Sequence, residues 1–180
     1  MLSSLEHDGG WTTARIRPPV LILGSLDGIE TGIRQLRRRR PLEVEDVELP
    51  SGRLRVPTLP EILRIKAWLV LDRNATRDYL DVVALADRLG EHEAAATLLE
   101  LDDYYADQLG EGGMRVATQV AKQLAEPVPY DLDAVDLEHY KRLAPRWHRW
   151  VNVADASRRL AIAMLEGAVS LNNNREGGER

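Results

Sequence analysis

The sequence predicts an α+β protein: a small N-terminal antiparallel β meander followed by a bundle of about six α-helices. Three observations carry that prediction. Between residues 11 and 56, short β-branched or alternating runs are separated by Pro and Gly signals. After Val56 the apolar positions switch to helical spacing. The chain has 180 residues, 44% hydrophobic and 29% charged, enough for one core plus a small lobe. The organisation expected is a β-rich lobe over 1–57, a helical domain over 58–171 and a disordered polar tail over 172–180.

The strands expected are WTTARIR, VLIL, IETGIRQL, LEVEDVEL and RLRV, bounded by Pro18-Pro19, Gly24, Gly28, Pro41 and Pro50-Ser51-Gly52. Ser51-Gly52 reads as the hairpin turn between the last two runs, since Gly tolerates the positive φ a tight hairpin requires. Helix formation begins at Thr58-Leu59-Pro60-Glu61: Thr58 caps, Pro60 suits the first turn, and Glu61 completes a capping box. That helix runs to about Arg73. A second covers 76–90, with Val82, Leu85, Ala86 and Leu89 as its buried stripe and Gly90 as its left-handed terminus. Further helices are expected at 91–110, 113–125, 132–144 and 153–168.

Composition excludes several classes of chemistry. With no cysteine there is no disulfide framework, thiolate zinc site or cysteine nucleophile. A formal charge of -5 argues against a general nucleic-acid coat. No stretch approaches the about 18 apolar residues of a membrane span, and Glu6, His7 and Asp8 interrupt any signal-like start, so the expectation is a cytoplasmic protein without a membrane partner.

The most informative stretch carries Lys66 and Arg73, seven apart on one helix face, and then Arg77, Asp78 and Asp81 opening the next helix. Two acids and three bases meet at this corner. Lysine and arginine there can hold a phosphate, and the carboxylates can orient those cations or take a proton from an attacking hydroxyl. A salt-bridge network that merely pins the helical hairpin accounts for the same pattern.

This Lys…Arg-Asp-x-x-Asp segment, with LEVEDVELPSGRLRVPTLPE before it, resembles the AbiEii-type nucleotidyltransferase toxins of the polymerase-β-like superfamily. The resemblance covers about 50 residues, 42–90. It implies transfer of a nucleotidyl group from a nucleoside triphosphate, with Mg²⁺, to a tRNA, other RNA or protein acceptor, in a toxin–antitoxin system whose antitoxin is a further partner. It assigns Lys66, Asp78 and Asp81 to catalysis and Arg73 and Arg77 to substrate binding. The family's metal-binding Asp-x-Asp is missing from the N-terminal third, and the residues after Gly24-Ser25 supply no paired carboxylates. The chain therefore reads as a truncated, inactive or incomplete member. Glu43 and Glu45, alternating on one side of a strand, are the metal candidates left, with a solvent-facing edge strand as the other reading.

The alternative function is a non-enzymatic helical interaction module. Its surface would be the acidic segment 91–113, which holds Glu91, Glu93, Glu100, Asp102, Asp103, Asp107 and Glu111 and no Lys or Arg, facing a basic protein partner. Arg37 to Arg40 suit either RNA phosphates or a solvated strand end. Trp147 and Trp150 read as core packing, and the four histidines show no ligand spacing.

Overall fold

The computed structural model describes residues 6–7, 9–18, 20–35, 38–140 and 143–177, the side chains of 172 and 174–177 excepted. The architecture is α+β, and the chain forms two compact units, Met1–Arg37 and Arg38–Arg180.

The first unit is a three-stranded antiparallel sheet, in order β1 (Trp11–Arg17), β2 (Leu21–Leu26) and β3 (Ile29–Arg34). Asp27 and Gly28 close the β2–β3 hairpin between the paired residues Leu26 and Ile29, and both have positive φ, 49° and 79°. Two left-handed residues in a two-residue loop match the right-handed twist of the strands, which is why Asp-Gly sits there. Gly24-Ser25 is mid-strand rather than in a turn. A Cβ on Gly24 would lie 2.6 Å from Cζ2 of Trp11, so the glycine makes room for the indole.

The expected single meander is in fact two separate sheets, and the boundary falls between Arg37 and Arg38 rather than after residue 57. In the second unit, β4 (Val44–Leu49) and β5 (Gly52–Pro57) pair alone as a hairpin whose two-residue loop is Pro50-Ser51, with Gly52 already paired to Leu49. The register puts Asp46 and Glu48 opposite Arg55 and Arg53 on one face, and Val47 opposite Leu54 on the other. The Glu43 carbonyl accepts from the Thr58 amide at 3.1 Å, which joins the base of the hairpin to the helices.

Helix α1 (Leu59–Arg73) is capped by Thr58, whose Oγ1 accepts from the Glu61 amide at 3.3 Å. It ends at Asn74, which adopts the left-handed conformation at φ 49°, ψ 38°. Helix α2 (Thr76–Leu89) stops at Gly90, where φ is +94°. The stretch expected as one helix from 91 bends at Glu100 into α3 (Glu91–Leu99) and α4 (Leu101–Tyr104). Helix α5 (Val116–Ala125) and α6 (Trp150–Gly177) complete the bundle. Its core joins Leu63, Ala67 and Val70 of α1 to Tyr79 and Val82 of α2, Leu98 of α3, Val120 and Leu124 of α5, and Leu160 and Met164 of α6. Trp147 is buried in it, and Trp150 meets Tyr79 edge to face at 5.8 Å.

Two helical expectations need correction. Among the described residues of 132–144, the helical structure is two single 3-10 turns, Leu132–Ala134 and Leu137–His139. Asp136 diverts the backbone there, its Oδ1 accepting from the Glu138 amide, while Asp131 reaches away to α2, its Oδ1 taking the amide and hydroxyl of Thr76, both at 2.7 Å. At the other end, α6 continues to Gly177, into the segment read as a disordered tail; residues 178–180 lie outside the described ones.

Candidate functional site

The corner between α1 and α2 brings the expected residues together, as ion pairs with one another. Lys66 Nζ lies 2.7 Å from Asp81 Oδ2, and Arg77 Nε approaches the same oxygen at 4.0 Å. Arg73 grips Asp78 with two nitrogens, Nε at 3.1 Å from Oδ2 and Nη2 on Oδ1. Asp78 is fully buried, while Arg73 keeps one side in solvent. Behind this corner, Asn74 Oδ1 accepts from the Tyr79 hydroxyl at 2.7 Å and from Gln123 Nε2 at 2.8 Å. Asn74 Nδ2 donates to the Val128 carbonyl at 2.9 Å, and the Asn74 carbonyl takes the Tyr130 amide at 3.0 Å. Burial raises the Tyr79 phenol above its ordinary range, which keeps it a neutral donor. Each acid of the corner is thus held by a base from the same corner, the arrangement of a pinned helical hairpin.

A second cluster forms where the β4–β5 hairpin meets the bundle, and no local pattern in the chain announces it. Glu61 of α1 is fully buried with the side chain of Arg38, whose Nη1 lies 2.5 Å from Glu61 Oε1. Arg64, one turn on, reaches Glu61 at 3.5 Å, Glu43 at 2.8 Å and Glu100 at 2.5 Å. The Tyr104 ring packs against three guanidinium groups, with Arg64 4.4 Å and Arg38 and Arg40 each 4.9 Å from its centre. Its hydroxyl donates to Glu43. That hydrogen bond, and then Arg64, hold the Glu43 carboxyl below its ordinary range against the opposing effect of burial. Burial pulls Arg64 down, but its bonds to Glu100 and Glu43 outweigh this and hold it fully charged. Burial and the bond to Glu43 raise the Tyr104 phenol.

This cluster corrects four expectations. Glu61 does not close a capping box, because its side chain turns inward to arginine and the Thr58 amide goes to Glu43. Glu43 is engaged by Arg64 and Tyr104, Glu45 is exposed, and no group of three or more His, Asp or Glu among the described residues is placed to hold a metal ion. These residues do not fit Mg²⁺, which needs several oxygen ligands free of competing cations. In the arginine run Arg38 turns inward to Glu61, whereas Arg40 stays exposed and pairs at the surface with Asp103 at 3.1 Å; Arg37 lies outside the described residues. The acidic segment is largely spoken for: Glu91 faces Arg159, Glu100 faces Arg64, Asp103 faces Arg40, and Asp102 accepts the Ala117 amide at the start of α5.

A cleft of about 570 Å³ opens beside the two 3-10 turns and is lined by Asp133, Asp136, Glu138, His148 and Trp150 among others. It presents mainly polar surface to solvent.

Comparison with known proteins decides against the nucleotidyltransferase resemblance. The Heme uptake protein MmpL11 of Mycobacterium tuberculosis is 39% identical over 133 residues, 73% of this chain and 13% of that protein. The Mycolic acid-containing lipids exporter MmpL11 of Mycolicibacterium smegmatis is 37% identical over 136 residues, 74% of this chain and 14% of its own length. The chain is similar to one stretch of MmpL11 transport proteins. It spans about an eighth of the curated relatives it matches, the Probable transport protein MmpL11 of Mycobacterium leprae being a third, 37% identical over 135 residues, 73% of this chain and 13% of that protein. No family model and no solved structure matches. The AbiEii toxin assignment, nucleotidyl transfer and the toxin–antitoxin setting are therefore overturned. The triphosphate, Mg²⁺, RNA acceptor and antitoxin, implied by that resemblance alone, lose their support with it.

Proposed function

We propose that the chain serves as an accessory domain of a transport protein of the MmpL11 kind, acting beside the part that moves cargo. The observation that carries this is the match at 37–39% identity over nearly three quarters of the chain. Two features of the molecule favour an accessory role over cargo handling. The cleft beside the 3-10 turns is open and acidic, whereas heme or a mycolic-acid-containing lipid, the cargoes named for the relatives, calls for an enclosed apolar site. No helix among the described residues is long and apolar enough to cross a membrane. The ion pairs of both clusters then work as scaffolding, fixing the hairpin and the helical corner as a rigid body.

A segment exchange tests this. In the M. smegmatis relative, the matching stretch is deleted or replaced by this chain, and export of mycolic-acid-containing lipids is measured in cells holding equal amounts of each transporter. Deletion is expected to abolish export and replacement to restore it. Export that survives deletion, or a well-accumulated hybrid as inactive as the deletion, overturns the reading.

A further inference from the structure

The arginines of the three-stranded sheet gather on one of its faces. Directly paired residues of an antiparallel sheet share a face, so the rows Arg17–Leu21–Arg34 and Arg15–Leu23–Gly32 lie next to each other on the same side. Arg15, Arg17 and Arg34 are all exposed. None of the three forms an ion pair among the described residues, whereas exposed arginines of the second unit, Arg53, Arg146 and Arg158, do. The acid on this face, Glu30, is paired with Ser25, four residues along β3 from Arg34. Two backbone bonds fix the arginine end: the Val20 amide donates to the Arg17 carbonyl and the Gln35 amide to the Val20 carbonyl, both at 2.8 Å. Apolar surface separates the cations. A Cβ on Gly32 would lie 2.6 Å from Cδ2 of Leu23, so this leucine leans into the space of the missing side chain, and it stays 37% exposed.

We propose that this face lies against an anionic lipid bilayer, its guanidinium groups on headgroup phosphates and Leu23 entering the interface between them. Charge complementarity specifies that occupant. Strand geometry sets Arg17 and Arg34 about 10 Å apart and Arg15 and Arg17 about 7 Å apart, a spread that suits phosphates side by side in a surface better than one small anion. Each guanidinium can fork onto a phosphate. An apolar residue among cations combines the two attractions an interfacial element uses, charge and buried apolar area. A single-stranded nucleic acid also offers phosphates, but its binding calls for aromatic platforms. The aromatic of this sheet, Trp11, pairs with Leu26 and packs on Gly24, on the opposite face. That no helix among the described residues can cross a membrane bears on spanning a bilayer, not on lying against one. Vesicle binding by this chain and export by the hybrid transporter are separate readouts, so either reading can fail without the other.

The test is flotation of the full chain with phosphatidylcholine vesicles, with and without phosphatidylglycerol. Anionic lipid is expected to raise binding about a hundredfold, at about fivefold per arginine, and added salt to reverse the gain. Replacing Arg15, Arg17 and Arg34 together by glutamine should remove it. Arg53→Gln with Arg55→Gln, exposed but paired with Glu48 and Asp46, should leave it unchanged. Equal binding to neutral and anionic vesicles overturns the proposal, as does a triple variant that floats like the wild type or a double variant that loses as much. Binding to single-stranded RNA that is tighter than to vesicles, and lost in the triple variant, would assign the face to nucleic acid instead. Anionic binding that salt does not weaken overturns it too, in an arm that uses the wild type alone and so holds even if the triple variant fails to fold.

Discussion

Two charge clusters lie on opposite sides of helix α1, and they differ in what water can reach. Glu61 and Arg64 point toward the hairpin, where Glu61 and the Arg38 side chain are closed off from solvent. Lys66 and Arg73 point toward α2, where Lys66 and Asp81 each keep about a quarter to a third of their side chains exposed. Acid–base pairs built on one helix therefore carry different energies. A buried charge that loses its partner has no solvent to fall back on, whereas an exposed one rehydrates.

The sharpest way to break this contrast is Glu61→Leu, which leaves the Arg38 and Arg64 charges facing each other in the interior. A loss of about 3–5 kcal/mol is expected from urea unfolding, while the triple change of Arg38, Glu61 and Arg64 to apolar residues should recover most of it. A loss below about 1 kcal/mol for Glu61→Leu alone, within the range of surface pairs, would erase the difference between the clusters. Asp78→Ala should cost less, about 2 kcal/mol, since Asp78 is buried but its partner Arg73 can turn to water.

Glu43→Gln should cost about 1 kcal/mol, as Glu43 keeps 43% of its side chain exposed. Its signature is in pH. The folded carboxyl titrates below its unfolded value, so the stability it lends is present above the ordinary carboxylate range and is lost as pH falls through the folded value. The urea midpoint of the wild type should accordingly drop further on acidification than that of Glu43→Gln. Equal slopes would show that Tyr104 and Arg64 do not favour the ionised form. At the foot of the series, Lys66→Ala should change stability by no more than about 0.5 kcal/mol, and a drop near that of Glu61→Leu would place the helical corner in the buried class.

Much of the fold was legible because its punctuation is local. Thr58 and Pro60 mark the start of α1, and Gly90 with positive φ marks the end of α2. The Lys66–Asp81 and Arg73–Asp78 contacts were legible too, since the pairs face each other across one short turn. What escaped depends on distance along the chain. Thr-x-x-Glu at 58–61 has the pattern of a capping box, and only the return of Arg38 turns Glu61 inward. Tyr104 reaches Glu43 across 61 positions, and Asp103 reaches Arg40 across 63, so neither pairing has a local signature. The segment after Asp131 misled in the opposite way: helical apolar spacing is present, but the Asp136 side chain competes for the Glu138 amide. The enzymatic reading failed for a related reason. A lysine, an arginine and two aspartates at helical spacing fit a phosphate site and a salt-bridged corner equally, and nothing in their spacing separates the two.

Asn74 bears on the order in which the molecule assembles. Its left-handed backbone is what sends α2 back along α1, and its side chain and carbonyl then hold Val128 and Tyr130, with Gln123 on the same oxygen. These partners lie about fifty residues further along, so closing that loop costs chain entropy that no local contact offsets. In kinetic terms the corner is expected to act as a template: the helical hairpin can form from neighbouring residues alone, and the segment after α5 is expected to condense onto it later.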